Sequence, residues 1–201
     1  VTWWQIDDLH FDEVFFGKLA TLGSFLTIAG IWFGTRAVTH RPIGHVLGAL
    51  TIVGFVLFLP YIGMKYGLHD WTSAHLGFGA RTIAIFDTSL SAPFGQLAMI
   101  PMLTLVAIHA PPARRATWFA LMASLMNLAL SAAGLSTKYL NQVFHVSRGH
   151  YDELGPLMIT VNLIGLVVPL AVIAFAGKSL MQRHRVINAA LADELTATPD
   201  L

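Results

Sequence analysis

The stretch Thr82–His109, TIAIFDTSLSAPFGQLAMIPMLTLVAIH, decides the fold. It is long and apolar enough to cross a bilayer, whose hydrocarbon core takes roughly 20 helical residues. It also carries a carboxylate, Asp87, two prolines, Pro93 and Pro101, and an amide, Gln96. Lipid does not tolerate such groups facing outward, so this helix is expected to face protein or a water-filled cavity. Pro93 removes a backbone donor and crowds the carbonyl four residues back, which predicts a kink beside Gly95. The segment that follows, PPARRATWFALMASLMN (111–127), makes a tight turn and opens another apolar run.

Outward from this stretch the whole chain has the same character. Only 11% of the 201 residues are charged, against about 25% in soluble domains, and mean hydropathy is +0.65. Besides 83–108, apolar runs of spanning length cover about 14–33, 43–62, 117–135 and 156–176. Continuous runs rather than alternating ones exclude a membrane β-barrel. The fold class is therefore all-α, a polytopic membrane bundle of about five transmembrane helices. Three regions follow: 1–13 as the end of a preceding helix and an outer loop, 14–176 as the bundle, and 177–201 as a C-terminal tail with an irregular end. The first residue is Val, and the acidic opening lacks the features of a signal peptide, so a missing N-terminal part is expected. The connections read as short loops, the longest being 63–81, and the small residues at 124 and 131–134 read as a close-packing surface.

Charge sets the orientation. Arg36, Arg41, Arg114, Arg115, Lys178, Arg183 and Arg185 lie on one side, and Lys65, Arg81, Lys138 and Arg148 on the other. The positive-inside rule then puts the 34–42 and 110–116 loops and the C-terminus in the cytoplasm; a bacterial inner membrane is the expected location. Trp3, Trp4, Trp71, Trp118, Tyr61 and Tyr66 fall near span ends, as an aromatic belt does.

Asp87 leads the candidate site residues. A carboxylate deep in a span costs about 2.5–3.5 kcal/mol on insertion scales and has either a partner or a task. The partner reading is pairing with Arg81 or with a neighbouring helix; the task is coupling to a proton or a solute. Ser91 shares its helix face at i+4. Gln96, Asn127 and Asn162 are the other polar groups in spans, as solute contacts or as interhelical hydrogen bonds. The arginines at 36, 41, 114 and 115 either close a cytoplasmic gate or serve topology alone. Nine histidines, nearly all at span ends or in loops, lack the i, i+3 or i+4 spacing of ligands on one helix face within a span. A loop metal site from His69, Asp70 and His75 is the one arrangement to consider, and no cofactor is expected. There is no cysteine, phosphate-binding glycine loop, nucleophile motif or nucleic-acid stripe. An enzyme is not expected.

The block FDTSLSAPFGQLAMIPMLTLVAIHAPPARRATWFALMASLMNLA (86–129) resembles the folate–biopterin transporter family of the major facilitator superfamily. The resemblance is carried by Asp87-Thr88-Ser89, by Met99-Ile100-Pro101-Met102 and by Thr117 to Asn127. Tyr151-Asp152-Glu153-Leu154 and Asn162 to Leu170 resemble the family's ending, and Leu9 to Gly17 and Gly34 to Arg41 its earlier motifs. Thr88 stands where the family has Ser. The resemblance implies the C-terminal half of a twelve-helix secondary transporter, working by alternating access against a missing N-terminal half. Its expected solute is a folate or pterin, moved with or without a proton. A metal ion or an organic anion as solute, or a membrane redox or assembly subunit with histidine ligands, are the alternatives. In that design Asp87 sits toward the outer end of the tenth helix, with Gln96 and Asn127 deeper.

Overall fold

The computed structural model describes the backbone of residues 1–39 and 41–197, and their side chains except those of 36–39, 112 and 178–197. The helices are α1 (Thr2–Asp7), α2 (Glu13–Thr39), α3 (Ile43–Lys65), α4 (Leu68–Leu76), α5 (Ala80–Leu97), α6 (Met99–Ile108), α7 (Arg115–Val143) and α8 (Leu154–Ala197). A 3-10 turn, Pro112–Arg114, joins α6 to α7. Among the described residues no β-strand forms. Five segments are long and apolar enough to cross a membrane: Glu13–Thr35, Ile43–Lys65, Ala80–Ile108, Arg115–Val143 and Leu154–Gly177. The all-α membrane bundle is thus observed, with four spans within a few residues of those expected and the fourth, expected over 117–135, running on to Val143.

Local chemistry explains the boundaries. Asp12 caps α2, its Oδ1 accepting the Phe15 N–H at 2.7 Å, which satisfies one of the donors a helix start leaves free. The 63–81 connection is not simply a loop but contains α4. Gly67 and Gly77, at φ 84° and 73°, make the left-handed turns on either side of it. These conformations cost glycine least.

The third span differs from the expected single kinked helix. The α-helix passes through Pro93 and ends at Leu97, and a new helix starts at Met99. Pro101 explains the position of the break: it cannot donate to the Leu97 carbonyl and its ring crowds that oxygen. Pro93 instead serves packing. Gly23, Thr27, Gly30 and Gly34 form one face of α2 and lie against Thr88, Ala92, Pro93 and Leu97 of α5. Thr27 Oγ1 donates to the Ala92 carbonyl across this seam at 3.2 Å. Small residues let the two backbones approach, which is how membrane helices gain contact when lipid is as apolar as they are.

α3 packs against α5 on one side and α8 on the other. The buried core gathers at one end of the bundle. Trp4, Ile62, Met64, Tyr151, Leu154, Leu157 and Met158 form one cluster, and Phe11, Phe15, Leu19 and Ala84 a second. Trp4, expected in the aromatic belt, is therefore a core residue, 2% exposed. It pins α1 to the ends of α3 and α8. A polar clasp reinforces this: the Tyr151 hydroxyl donates to Asp7 at 2.5 Å, Arg148 lies 3.8 Å from the same carboxylate, and its guanidinium covers the Trp3 ring at 4.0 Å. Burial, and then the Asp7 hydrogen bond, hold the Tyr151 phenol above its usual range.

α7 stands apart. It touches α6 and the turn before it, and has no buried residue. The expected close-packing surface at 124 and 131–134 is exposed, so among the described residues it packs against nothing. Trp118 Nε1 donates to the Val106 carbonyl at 3.1 Å and fastens α7 to α6. α8 runs as helix to Ala197, where an irregular tail end was expected.

Candidate functional site

The cleft between α3 and α5 holds Asp87. It has a volume of about 490 Å³, with Phe58 and Tyr61 from α3 facing Asp87, Thr88, Ser91 and Phe94 from α5. On α5 the cleft residues Asp87, Ser91, Phe94 and Ala98 follow i, i+4, i+7, i+11, one helix face. Gly54 of α3 lines the opposite wall and leaves it open: a Cβ there would meet nothing within 4 Å.

Asp87 is 7% exposed. Its expected ion-pair partner is engaged elsewhere. Arg81 donates to the His10 carbonyl at 3.3 Å, lies 3.8 Å from Asp12 and covers the Phe15 ring at 5.3 Å. Among the described residues no Lys, Arg or His forms a salt bridge with Asp87. The Tyr61 phenol of the same cleft feels the Asp87 charge and interacts with the Gln5 amide. Gln5, on α1, is 5% exposed. Three helices thus bring an amide, a phenol and a carboxylate together inside the bundle. The Phe58 and Tyr61 rings are stacked beside them, centroids 6.0 Å apart and 26° between planes.

The other expected site residues lie elsewhere. Gln96 follows Asp87 by nine residues, about 180° around the helix, and is exposed on the far side. Asn127 is exposed on α7. Asn162 Nδ2 donates to the Phe55 carbonyl at 3.2 Å, an interhelical bond between α8 and α3. Arg41, Arg114 and Arg115 are exposed at the end of the bundle opposite the Trp4 core; the side chain of Arg36 lies outside the described residues. In the α4 region His69 Nε2 lies 3.5 Å from Asp70, while the Nδ1 atoms of His69 and His75 meet the Met64 and Trp71 carbonyls. Among the described residues no group of three or more His, Asp or Glu could hold a metal ion.

Sequence reasoning thus missed Gln5, Phe58 and Tyr61 as neighbours of the carboxylate. Phe58 and Tyr61 carried a readable signal, two aromatics three residues apart on one helix face. Gln5 carried none, because a six-residue helix outside the spans gives no pattern.

The BT1 family model matches residues 2–193. A folate–biopterin transporter of Synechocystis sp. is 27% identical over 165 residues, which are 80% of this chain and 32% of that relative. The chain therefore spans about a third of the length of the curated relative it matches. No solved structure matches. The chain belongs to the BT1 family, and it is an integral, multi-pass membrane protein.

Proposed function

We propose that the full-length gene product is a secondary transporter whose solute site includes the Asp87 cleft. The observation that carries this reading is a buried carboxylate without a basic partner among the described residues, facing two stacked aromatic rings in a cleft of about 490 Å³. An isolated intramembrane carboxylate is expensive, and its charge is offset when a proton or a solute donor binds it. The folate–biopterin transporter among its relatives suggests a pteridine solute. A flat pteridine offers a pair of adjacent N–H donors that suit a carboxylate, and a π-face that suits Phe58 and Tyr61. Ser91, one turn along, supplies a hydroxyl to the same cleft. Because the carboxylate also takes a proton, the reading includes proton coupling. Alternating access would move this bundle against the remainder of the transporter.

The arginine-rich end, with Arg41, Arg114 and Arg115, is the cytoplasmic face in this reading and forms part of the inner gate. The membrane is a bacterial inner membrane, and α8 leaves it on the cytoplasmic side. Gln96 and Asn127 belong to surfaces that the rest of the transporter would cover, and Asn162 to the α3–α8 packing.

The test is uptake of labelled folate and biopterin by cells expressing the full-length gene product. Asp87→Asn is expected to abolish the pH dependence and reduce uptake at unchanged expression. Unchanged uptake with unchanged pH dependence would remove Asp87 from the mechanism.

A further inference from the structure

α7 carries a polar stripe that the Asp87 cleft does not use. Asn127, Ser131, Lys138, Asn141 and Gln142 lie within about 60° of one line along the helix, counting 100° per residue, and His145 follows just beyond its end. The opposite side carries Leu121, Leu125, Tyr139 and Val143, all exposed and suited to lipid. A stripe of amides and an ammonium is not suited to lipid. Toward the Trp4 end this stripe forms one side of a groove of about 670 Å³, completed by Thr137 and Ser147. Among the described residues the side chains of Lys138, Asn141 and Gln142 have no hydrogen-bond or ionic partner. The carboxylate nearest His145 is Glu153, 3.9 Å from its Nδ1. Among the described residues the Lys138 ammonium therefore has no counter-ion, and amides and hydroxyls line the groove beside it.

This groove adjoins the carboxylate cleft through a smaller hollow. Thr137 and Asn141 line both the groove and a space of about 180 Å³, and Phe58 lines that space too. Phe58 also lines the Asp87 cleft. The Phe58 ring thus lines both the acidic cleft and the hollow that adjoins the basic groove.

We propose that Lys138, with Asn141, Gln142 and Ser147, forms an anion subsite that takes a carboxylate of the solute. The proposal rests on the transporter reading above and deepens it: a solute with a flat head for the Asp87 cleft and a carboxylate at its other end fits both subsites. Folate has that form, and biopterin lacks the carboxylate. Lys138 lies about 8 Å from the end of α7, so the competing occupant is the phosphate of an anionic lipid.

The experiment uses the full-length gene product in phosphatidylcholine vesicles. Acylation of the Lys138 amine by acetic anhydride is followed by mass spectrometry with folate, biopterin or free glutamate present. Folate and glutamate are expected to slow acylation while biopterin does not. In competition binding, Lys138→Gln is expected to weaken folate about tenfold or more, leave biopterin within about twofold, and be rescued by Lys138→Arg. Equal protection by folate and biopterin, or protection by neither, overturns the proposal. So does protection that follows added phosphatidylglycerol and ignores folate. Asp87-dependent uptake without protection of Lys138 would leave the transport reading standing and remove the anion subsite. Protection by glutamate with uptake indifferent to Asp87→Asn would do the reverse.

Discussion

Gly30 of α2 lies directly against the ring of Pro93 of α5, so closely that a Cβ on Gly30 would occupy the space of the proline ring. Two residues that weaken helices in water here make the contact that sets the distance between two spans. Beside this contact Thr27 donates to the Ala92 carbonyl, which adds a hydrogen bond across the same seam.

This contact predicts an overpacking penalty. Pro93 is rigid and cannot move aside as a long side chain would. Gly30→Ala is expected to destabilise the bundle by about 1–3 kcal/mol, read as thermal unfolding in detergent. Gly165→Ala is the control, because nothing lies within 4 Å of its Cβ position. Equal effects of the two would mean that the α2–α5 seam is looser than described.

The Asn162 bond to the Phe55 carbonyl predicts a structural role. Intramembrane hydrogen bonds of this kind average about 0.6 kcal/mol, so Asn162→Ala should lower stability slightly and leave uptake intact. A stable Asn162→Ala protein with no uptake would return this residue to the solute path.

The α1 clasp predicts a pH dependence. The Tyr151 phenol is held above its usual range by burial and then by Asp7. A raised value means that the folded state binds this proton more tightly than the unfolded state. Its contribution is full below the unfolded value of about 10 and is lost as pH rises through the higher folded value. Trp4 fluorescence reports α1 docking, because Trp4 and Tyr151 share one core cluster. The advantage of wild type over Tyr151→Phe should shrink as pH rises above about 10. A constant difference across that range would contradict this.

The cleft predicts unequal effects around one helix. Tyr61→Phe keeps the ring and loses one hydroxyl, so uptake is expected to fall by no more than about tenfold. Tyr61→Ala should cost more than Tyr61→Phe, because the stacked pair with Phe58 is lost. Gln96→Ala, on the opposite face of α5, should leave uptake unchanged. A larger loss at Gln96 than at Tyr61 would move the solute to the other side of the helix.

Much of the site's failure to appear in the sequence comes from helix phase. Gln96 looked deeper and therefore more central than Asp87. Yet nine residues of α-helix turn it to the far side, while Ser91, at i+4, stays with Asp87. That part was available by counting. The diversion of Arg81 to His10 and Asp12 was not, because it depends on where the turn after α1 lies. Trp4 was misread for a related reason: proximity to a span end says nothing about whether a side chain points to the lipid boundary or into the bundle.

The sequence by itself determined the solvent, the number of spans and the family. Each of these depends on runs of residues whose apolar character and order survive any arrangement in space. The folded chain alone decided which spans touch and which polar groups meet. Gly30 finds Pro93, and Gln5, Tyr61 and Asp87 converge from three helices, because packing selects helix rotations and separations. Hydropathy carries no information about either, since every face of a membrane helix meets an apolar surrounding unless a neighbour replaces the lipid.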